Sequence, residues 1–237
     1  MPSLRSFMEL RLREVPYKLY MVRAKLNMLR YAKLLLISLR QLEPWRRLLA
    51  ALISVNAWNL HYEVELAWVL FQLEPRVILK VKPEVLAYLL KGRVRNLVTG
   101  VLGIYTAAKV SEKLEELLSL AIKEPEAARE RLVRAVYGLG RKGASMFLRD
   151  SGVKGVYPLD RHVLRWIYGN ISEAEMNKIW STSWRYKRAE LDFEAKARRE
   201  YPGVEPALIN VLVFINGSSR SSLNALIEYI ICVRFFV

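Results

Sequence analysis

The strongest constraint on this chain is its hydrophobic period. Apolar residues recur at three- and four-residue spacing through 45–53, 62–73, 84–90 and 111–122, the pattern of helices that bury one face. No sustained period-two run with β-branched enrichment competes with it. Breaks fall at Pro75, Pro83, Gly92, Pro125, Gly138, Gly152, Gly155, Pro158, Gly169, Pro202 and Gly217, leaving short connections that force consecutive helices to pack as neighbours. The expectation is an all-α fold of roughly ten helices, with no fixed-period repeat and no low-complexity tract.

Charge narrows the partners. Thirty-eight Lys and Arg against 23 Asp and Glu leave a net charge of +15 in 237 residues, an excess that attracts polyanions and above all nucleic acid. The basic residues crowd into 5–47 (Arg23, Lys25, Arg30, Lys33, Arg40, Arg46, Arg47). That segment reads either as an amphipathic extension on nucleic-acid backbone or as a solvated basic face. Cys232 is the only cysteine, which excludes an internal disulfide and any site made only of cysteines. His61 and His162 are the only histidines and no HExxH-like spacing occurs, so no metal is expected. The opening residues read as no signal peptide, and the apolar stretch 225–237 is short of a membrane span. Together these point to a reducing, cytoplasmic setting without membrane attachment. Scarce glutamine and cysteine hint at a heat-loving prokaryotic source.

The informative region runs from 126 to 168. A helix pattern is followed by Tyr137-Gly138-Leu139-Gly140 and a second helix beginning at Arg141. Glycines one residue apart permit a tight turn, and the next helix's first amides have no partners of their own. With the helix dipole they make a phosphate site that positions a protein without reading sequence. The same pattern also serves helix packing alone.

In the second helix Ala144, Phe147 and Leu148 share a core-facing side, while Lys142, Ser145 and Arg149 share the opposite one. Lys142 is thus expected in the first turn, beside the hairpin, pointing outward. A cation there opposes the helix dipole, so phosphate contact, a tolerated surface lysine and a chemical role all remain open. Eighteen residues on, Asp160 opens another apolar-periodic run in Pro158-Leu159-Asp160-Arg161-His162. It is placed as an N-cap, and its i+3 and i+4 neighbours Val163 and Leu164 offer no cation. His162 is read as a backbone or phosphate hydrogen-bonding residue.

The run Tyr137-Gly138-Leu139-Gly140-Arg141-Lys142-Gly143-Ala144-Ser145, followed by Leu159-Asp160-Arg161-His162-Val163-Leu164-Arg165, resembles the helix-hairpin-helix DNA glycosylase superfamily. It is most similar to the archaeal-type 8-oxoguanine DNA glycosylase/AP lyase branch. The iron–sulfur cluster of endonuclease III would need four cysteines, and the adenine-specific branch lacks the lysine. The resemblance implies two helical lobes with a cleft between them and Lys142 and Asp160 as the catalytic pair. Gly138, Leu139, Gly140 and Arg141 would contact DNA. In Ile53-Ser54-Val55-Asn56-Ala57, Asn56 would fill the gap left by an extruded base, the alternative being a helix C-cap. Phe214 would belong to the base pocket.

By the same resemblance the Lys142 amine attacks C1′ of a damaged nucleotide in double-stranded DNA, forms a Schiff base and cuts the strand by β-elimination, with no cofactor and as a monomer. An ordinary lysine is only about 0.04% neutral at pH 7, so the reading asks Arg141, the helix end and burial to lower its pKa. Three segments are expected: a basic extension (1–44), the glycosylase core (45–217, with the hairpin at 128–150) and an apolar tail (218–237), Ser218–Ser222 serving as a turn. A glycosylase/lyase for oxidised pyrimidines and a non-catalytic nucleic-acid-binding module are the alternatives.

Overall fold

The computed structural model describes residues 28–57, 59–217 and 220–237, with side chains from 227 onward in the last stretch. Within them the fold is all-α, with fourteen α-helices and no strand; Ala57 and Val94 form one isolated antiparallel bridge. The helices are α1 (Met28–Gln41), α2 (Pro44–Asn56), α3 (Leu60–Leu70), α4 (Pro75–Ile78), α5 (Pro83–Leu90), α6 (Leu97–Val110) and α7 (Leu114–Lys123). They continue with α8 (Pro125–Ala135), α9 (Arg141–Asp150), α10 (Arg161–Tyr168), α11 (Glu173–Ser181), α12 (Ser183–Glu200), α13 (Pro206–Gly217) and α14 (Arg220–Phe235). The excess over roughly ten comes from short helices. Prolines at 75 and 83 each restart the chain, since proline suits a helix's first turn and no later one.

Start signals elsewhere are side-chain caps. Asn59 and Asn96 accept from the amides of Tyr62 and Thr99 at 3.1 and 2.9 Å, and Ser172 and Glu175 close a reciprocal capping box. These local devices set where each helix begins. Packing then sorts the helices into two groups. Helices α6, α7 and α9 pack on α2, with α5 on α6 and α8 against α7 and α9, while α10 to α13 pack with one another and, through α13, with α1, on which α14 also packs.

The basic segment and the apolar tail are not appendages where described. Leu35, Leu36 and Leu39 of α1 are buried against α13 and α14. The tail returns to α3, where Phe235 and Phe236 meet Trp68 and Phe71 in tilted and edge-on ring contacts. The Arg46 guanidinium lies 5.6 Å from the Phe236 ring centre. The boundaries at 44 and 217 therefore follow charge and hydropathy, not a gap in packing. Arg5, Arg23 and Lys25 lie outside the described residues, as do 218 and 219 of the expected turn; Arg220, Ser221 and Ser222 are already helical.

Candidate active site

The hairpin between α8 and α9 is built on α6. The Tyr137 amide donates to Thr106 Oγ1 at 2.9 Å, and Leu139 N–H turns back to the Val136 carbonyl at 3.2 Å. Gly138 has φ +73°, and any Cβ there would overlap the Thr99 methyl, so glycine is required twice over. Gly140 is not left-handed. Its φ is −73°, and a Cβ would meet nothing. It is the N-cap of α9 and accepts from Ala144 N–H at 3.0 Å. No side chain caps that helix end, so its first amides remain available to an anion. Leu139, 1% exposed, anchors the hairpin in the core.

Two sequence expectations are corrected in α9. Ala144, Phe147 and Leu148 are buried as the period requires, but Ser145 and Arg149 are buried too. The face assigned to solvent meets the other lobe. Arg149 donates to Asn210 Oδ1 of α13 and to Asp150, both at 2.8 Å, and Ser145 is hydrogen-bonded to Tyr186 of α12. Lys142 consequently points into the interlobe cavity. Arg141 is not poised beside it or toward phosphate. Its Nε and Nη2 hold both Glu130 oxygens at 2.8 and 3.1 Å, and Nη1 donates to the carbonyls of Trp180 and Ser181. With its charge matched by Glu130, Arg141 ties the hairpin to α8 and α11.

Asp160 caps α10 as expected, Oδ1 accepting from Val163 N–H at 2.8 Å. The loop carrying it is fixed at successive residues. Tyr157 N–H donates to Glu190, and the Pro158 carbonyl accepts from Asn210. Leu159 N–H donates to the Tyr186 hydroxyl, and its carbonyl accepts from the Trp180 indole. Glu190 is in turn paired at 2.7 Å with a fully buried Arg129, whose guanidinium stacks 4.8 Å over Tyr186. This buried network, from helices far apart in sequence, sets the position of the Asp160 carboxyl.

Lys142 and Asp160 open onto one cavity of about 520 Å3, counted out to solvent, that Phe214 also lines. Among the described residues no ion pair joins the two. A third ionisable side chain shares the cavity. Glu63 of α3 is only 8% exposed, with a hydrogen bond from Ser54 and the Lys142 and Arg95 cations nearby. Burial pushes its carboxyl up to about 7 against these opposing neighbours. Sequence reading passed over it because an acidic residue in a helix's first turn already satisfies the dipole.

The remaining predicted residues fall elsewhere. The Asn56 side-chain amide donates to the Leu52 carbonyl at 2.8 Å, while the Asn56 backbone carbonyl accepts from Arg95 N–H. Asn56 is the last residue of α2, whose C-cap is Ala57, and it does not line the cavity. The His162 ring packs against Gly217, where a Cβ would overlap it, and it makes no hydrogen bond among the described residues. Glu63 apart, the cavity holds the residues the resemblance assigned to chemistry. Among the described residues no group of three or more His, Cys, Asp or Glu could hold a metal ion, and no helix is long and apolar enough to cross a membrane.

An uncapped hairpin-helix unit delivering a lysine to a cavity between two helical lobes, opposite a loop-borne carboxyl, defines a helix-hairpin-helix protein of the glycosylase type. Comparison with known families agrees. The family described as 8-oxoguanine DNA glycosylase matches residues 62–200, and the chain belongs to it. Among curated proteins, an 8-oxoguanine DNA glycosylase/AP lyase of Thermotoga maritima is 40% identical over 91 residues, 38% of this chain and 44% of the relative. Those of Methanocaldococcus jannaschii and Thermoplasma volcanium are 46% identical over 61 residues and 41% over 64, each covering 30% of the relative and 26% and 27% of this chain. The matched segments thus span less than half the length of these relatives. No solved structure matches.

Proposed function

We propose that the protein is a bifunctional DNA glycosylase/AP lyase that removes 8-oxoguanine from double-stranded DNA. The observation that carries this reading is the convergence of Lys142 and Asp160 on one cavity beside the hairpin amides, in a chain whose family and relatives bear that activity in their names.

The chemistry follows from the residues. The duplex hides C1′, so the nucleotide must be extruded, at a cost of a few kcal/mol. The first amides of α9, at Gly140, Arg141 and Lys142, together with the basic surface, hold the distorted backbone. Asn56, at the end of α2, fills the vacated stack after giving up its bond to Leu52, and Phe214 offers a ring face to the extruded base. The neutral Lys142 amine forms a bond to C1′ as the base leaves with the electron pair of the glycosidic bond. Proton loss and ring opening give the Schiff base, and β-elimination breaks the bond to the 3′ oxygen. Asp160 takes up the ammonium proton and balances positive charge on the sugar. The reading needs no metal or organic cofactor and a single copy of the chain.

Borohydride trapping tests it, on a duplex carrying 8-oxoguanine opposite cytosine, on a pre-made abasic site and on thymine glycol. A wild-type adduct lost in Lys142→Gln is the expected result. Adducts only with thymine glycol and the abasic site would move the substrate to oxidised pyrimidines. Binding without any adduct would leave a nucleic-acid-binding module.

A further inference from the structure

The cavity holds a carboxyl that the mechanism above does not use. Glu63, in the first turn of α3, is 8% exposed and lines the same cavity as Lys142, Asp160 and Phe214. Among the described residues it has no ion pair, in contrast to its neighbour Glu65, which Arg93 and His61 both engage. A buried carboxyl left without a matched cation is a costly choice for a core position. The groups around it do not complete its bonding. Ser54 of α2 supplies one hydrogen bond, Lys142 and Arg95 contribute charge from a distance, and Arg149 is committed to Asp150 and Asn210. Asp160 uses an oxygen on its own helix, Tyr229 of α14 closes the cavity wall, and Leu35 and Leu39 of α1 bring only hydrocarbon.

A carboxylate offers about four lone-pair sites on two oxygens, and Ser54 fills only one of them, so an occupant of the cavity that brings N–H donors finds acceptors waiting. We propose that Glu63 reads the Watson–Crick edge of the extruded base and so makes the cavity selective for a guanine-type purine. This rests on the glycosylase reading above and deepens it. The guanine edge presents two adjacent N–H donors, at N1 and N2, which the two oxygens of one carboxylate accept together. An oxidised pyrimidine such as thymine glycol presents a single N3–H flanked by two carbonyl oxygens, which a carboxylate repels. Adenine places an acceptor, N1, beside its N6 amino donor. The selection is therefore against bases whose edge carries acceptors where guanine carries donors, and a site built for hydrogen bonds discriminates strongly when they go unmade. Lys142 at the sugar and Glu63 at the base edge divide the cavity into a reacting end and a reading end.

The test separates reading from reaction, because an abasic site has no base to read. For wild type, Glu63→Gln and Glu63→Asp, single-turnover excision of 8-oxoguanine is measured at pH 8 and divided by the rate of borohydride trapping on a pre-made abasic site. The expected ratio falls about 10- to 100-fold in Glu63→Gln, the scale of one bidentate base contact, and less in Glu63→Asp, which keeps the charge. The wild-type ratio should also fall below pH 7, as the carboxyl takes up a proton, while that of Glu63→Gln stays flat. An unchanged ratio in Glu63→Gln overturns the assignment and leaves the glycosylase reading standing. Equal loss of excision and trapping also overturns it, since Glu63 would then serve the lysine or the fold. A wild type that excises thymine glycol but not 8-oxoguanine refutes the purine selectivity, and one that neither excises nor traps refutes the parent reading with it.

Discussion

Replacing Glu63 by Gln should stabilise the free protein, and the size of the gain follows from its burial. A carboxyl with an ordinary value of 4.5 that is pushed up to about 7 in the fold is disfavoured as an anion there. At about 1.4 kcal/mol per pH unit, the penalty above pH 7 is about 3 kcal/mol. The folded state binds the proton more tightly than the unfolded chain does. Stability is therefore unaffected below pH 4.5, declines as pH rises toward 7, and carries the full loss above it. Gln is nearly isosteric, keeps an oxygen for the Ser54 hydrogen bond and never ionises, so it escapes the penalty. For a chain of this length about 3 kcal/mol corresponds to a rise in Tm of about 6–12 °C. Thermal unfolding of wild type and Glu63→Gln at pH 5 and pH 8 measures it, with a clear gain at pH 8 and a small one at pH 5. A fall in Tm at pH 8, or an equal gain at both pH values, would refute the reasoning, because a buried and poorly matched anion predicts neither. Stability gained where function is lost is the usual mark of a group kept for its site.

Lys142→Gln should abolish the borohydride adduct while duplex affinity changes by less than about tenfold, since one cation contributes little to a surface of net charge +15; gel-shift titration beside trapping checks both. Arg141→Ala should cost about 1–3 kcal/mol in chemical unfolding by stranding Glu130 and two carbonyls. It should leave the salt dependence of DNA binding unaltered, and a shallower salt slope would show that the guanidinium meets phosphate after all. Gly138→Ala should lose about 1–3 kcal/mol, because the left-handed turn and the Thr99 methyl both oppose a Cβ; a neutral result in urea melts would mean the hairpin relaxes freely. Glu190→Gln should cost about 3 kcal/mol by leaving the buried Arg129 with only Glu130, at 3.8 Å, as a carboxylate partner. Pairing it with Arg129→Met should restore much of that in urea unfolding, which a plain loss of packing would not.

What the sequence determined by itself was local. The helical period and the proline and glycine breaks specify an all-α chain, because they act on residues three or four apart. Gly138, the uncapped start of α9 and Asp160 as a cap are equally local, set within one turn of helix. Tertiary structure decided which polar faces meet solvent. Period alone places Lys142, Ser145 and Arg149 opposite the core, and that assignment holds for an isolated helix; the second lobe turns the outer face into the wall of a cavity. Arg141 reads as a free cation until Glu130 and the end of α11 are brought to it. Glu63 reads as an ordinary first-turn acid until α1, α9 and α14 close over it. Neither change can be read along the chain, since both depend on residues far apart in sequence whose approach is fixed only when the lobes pack.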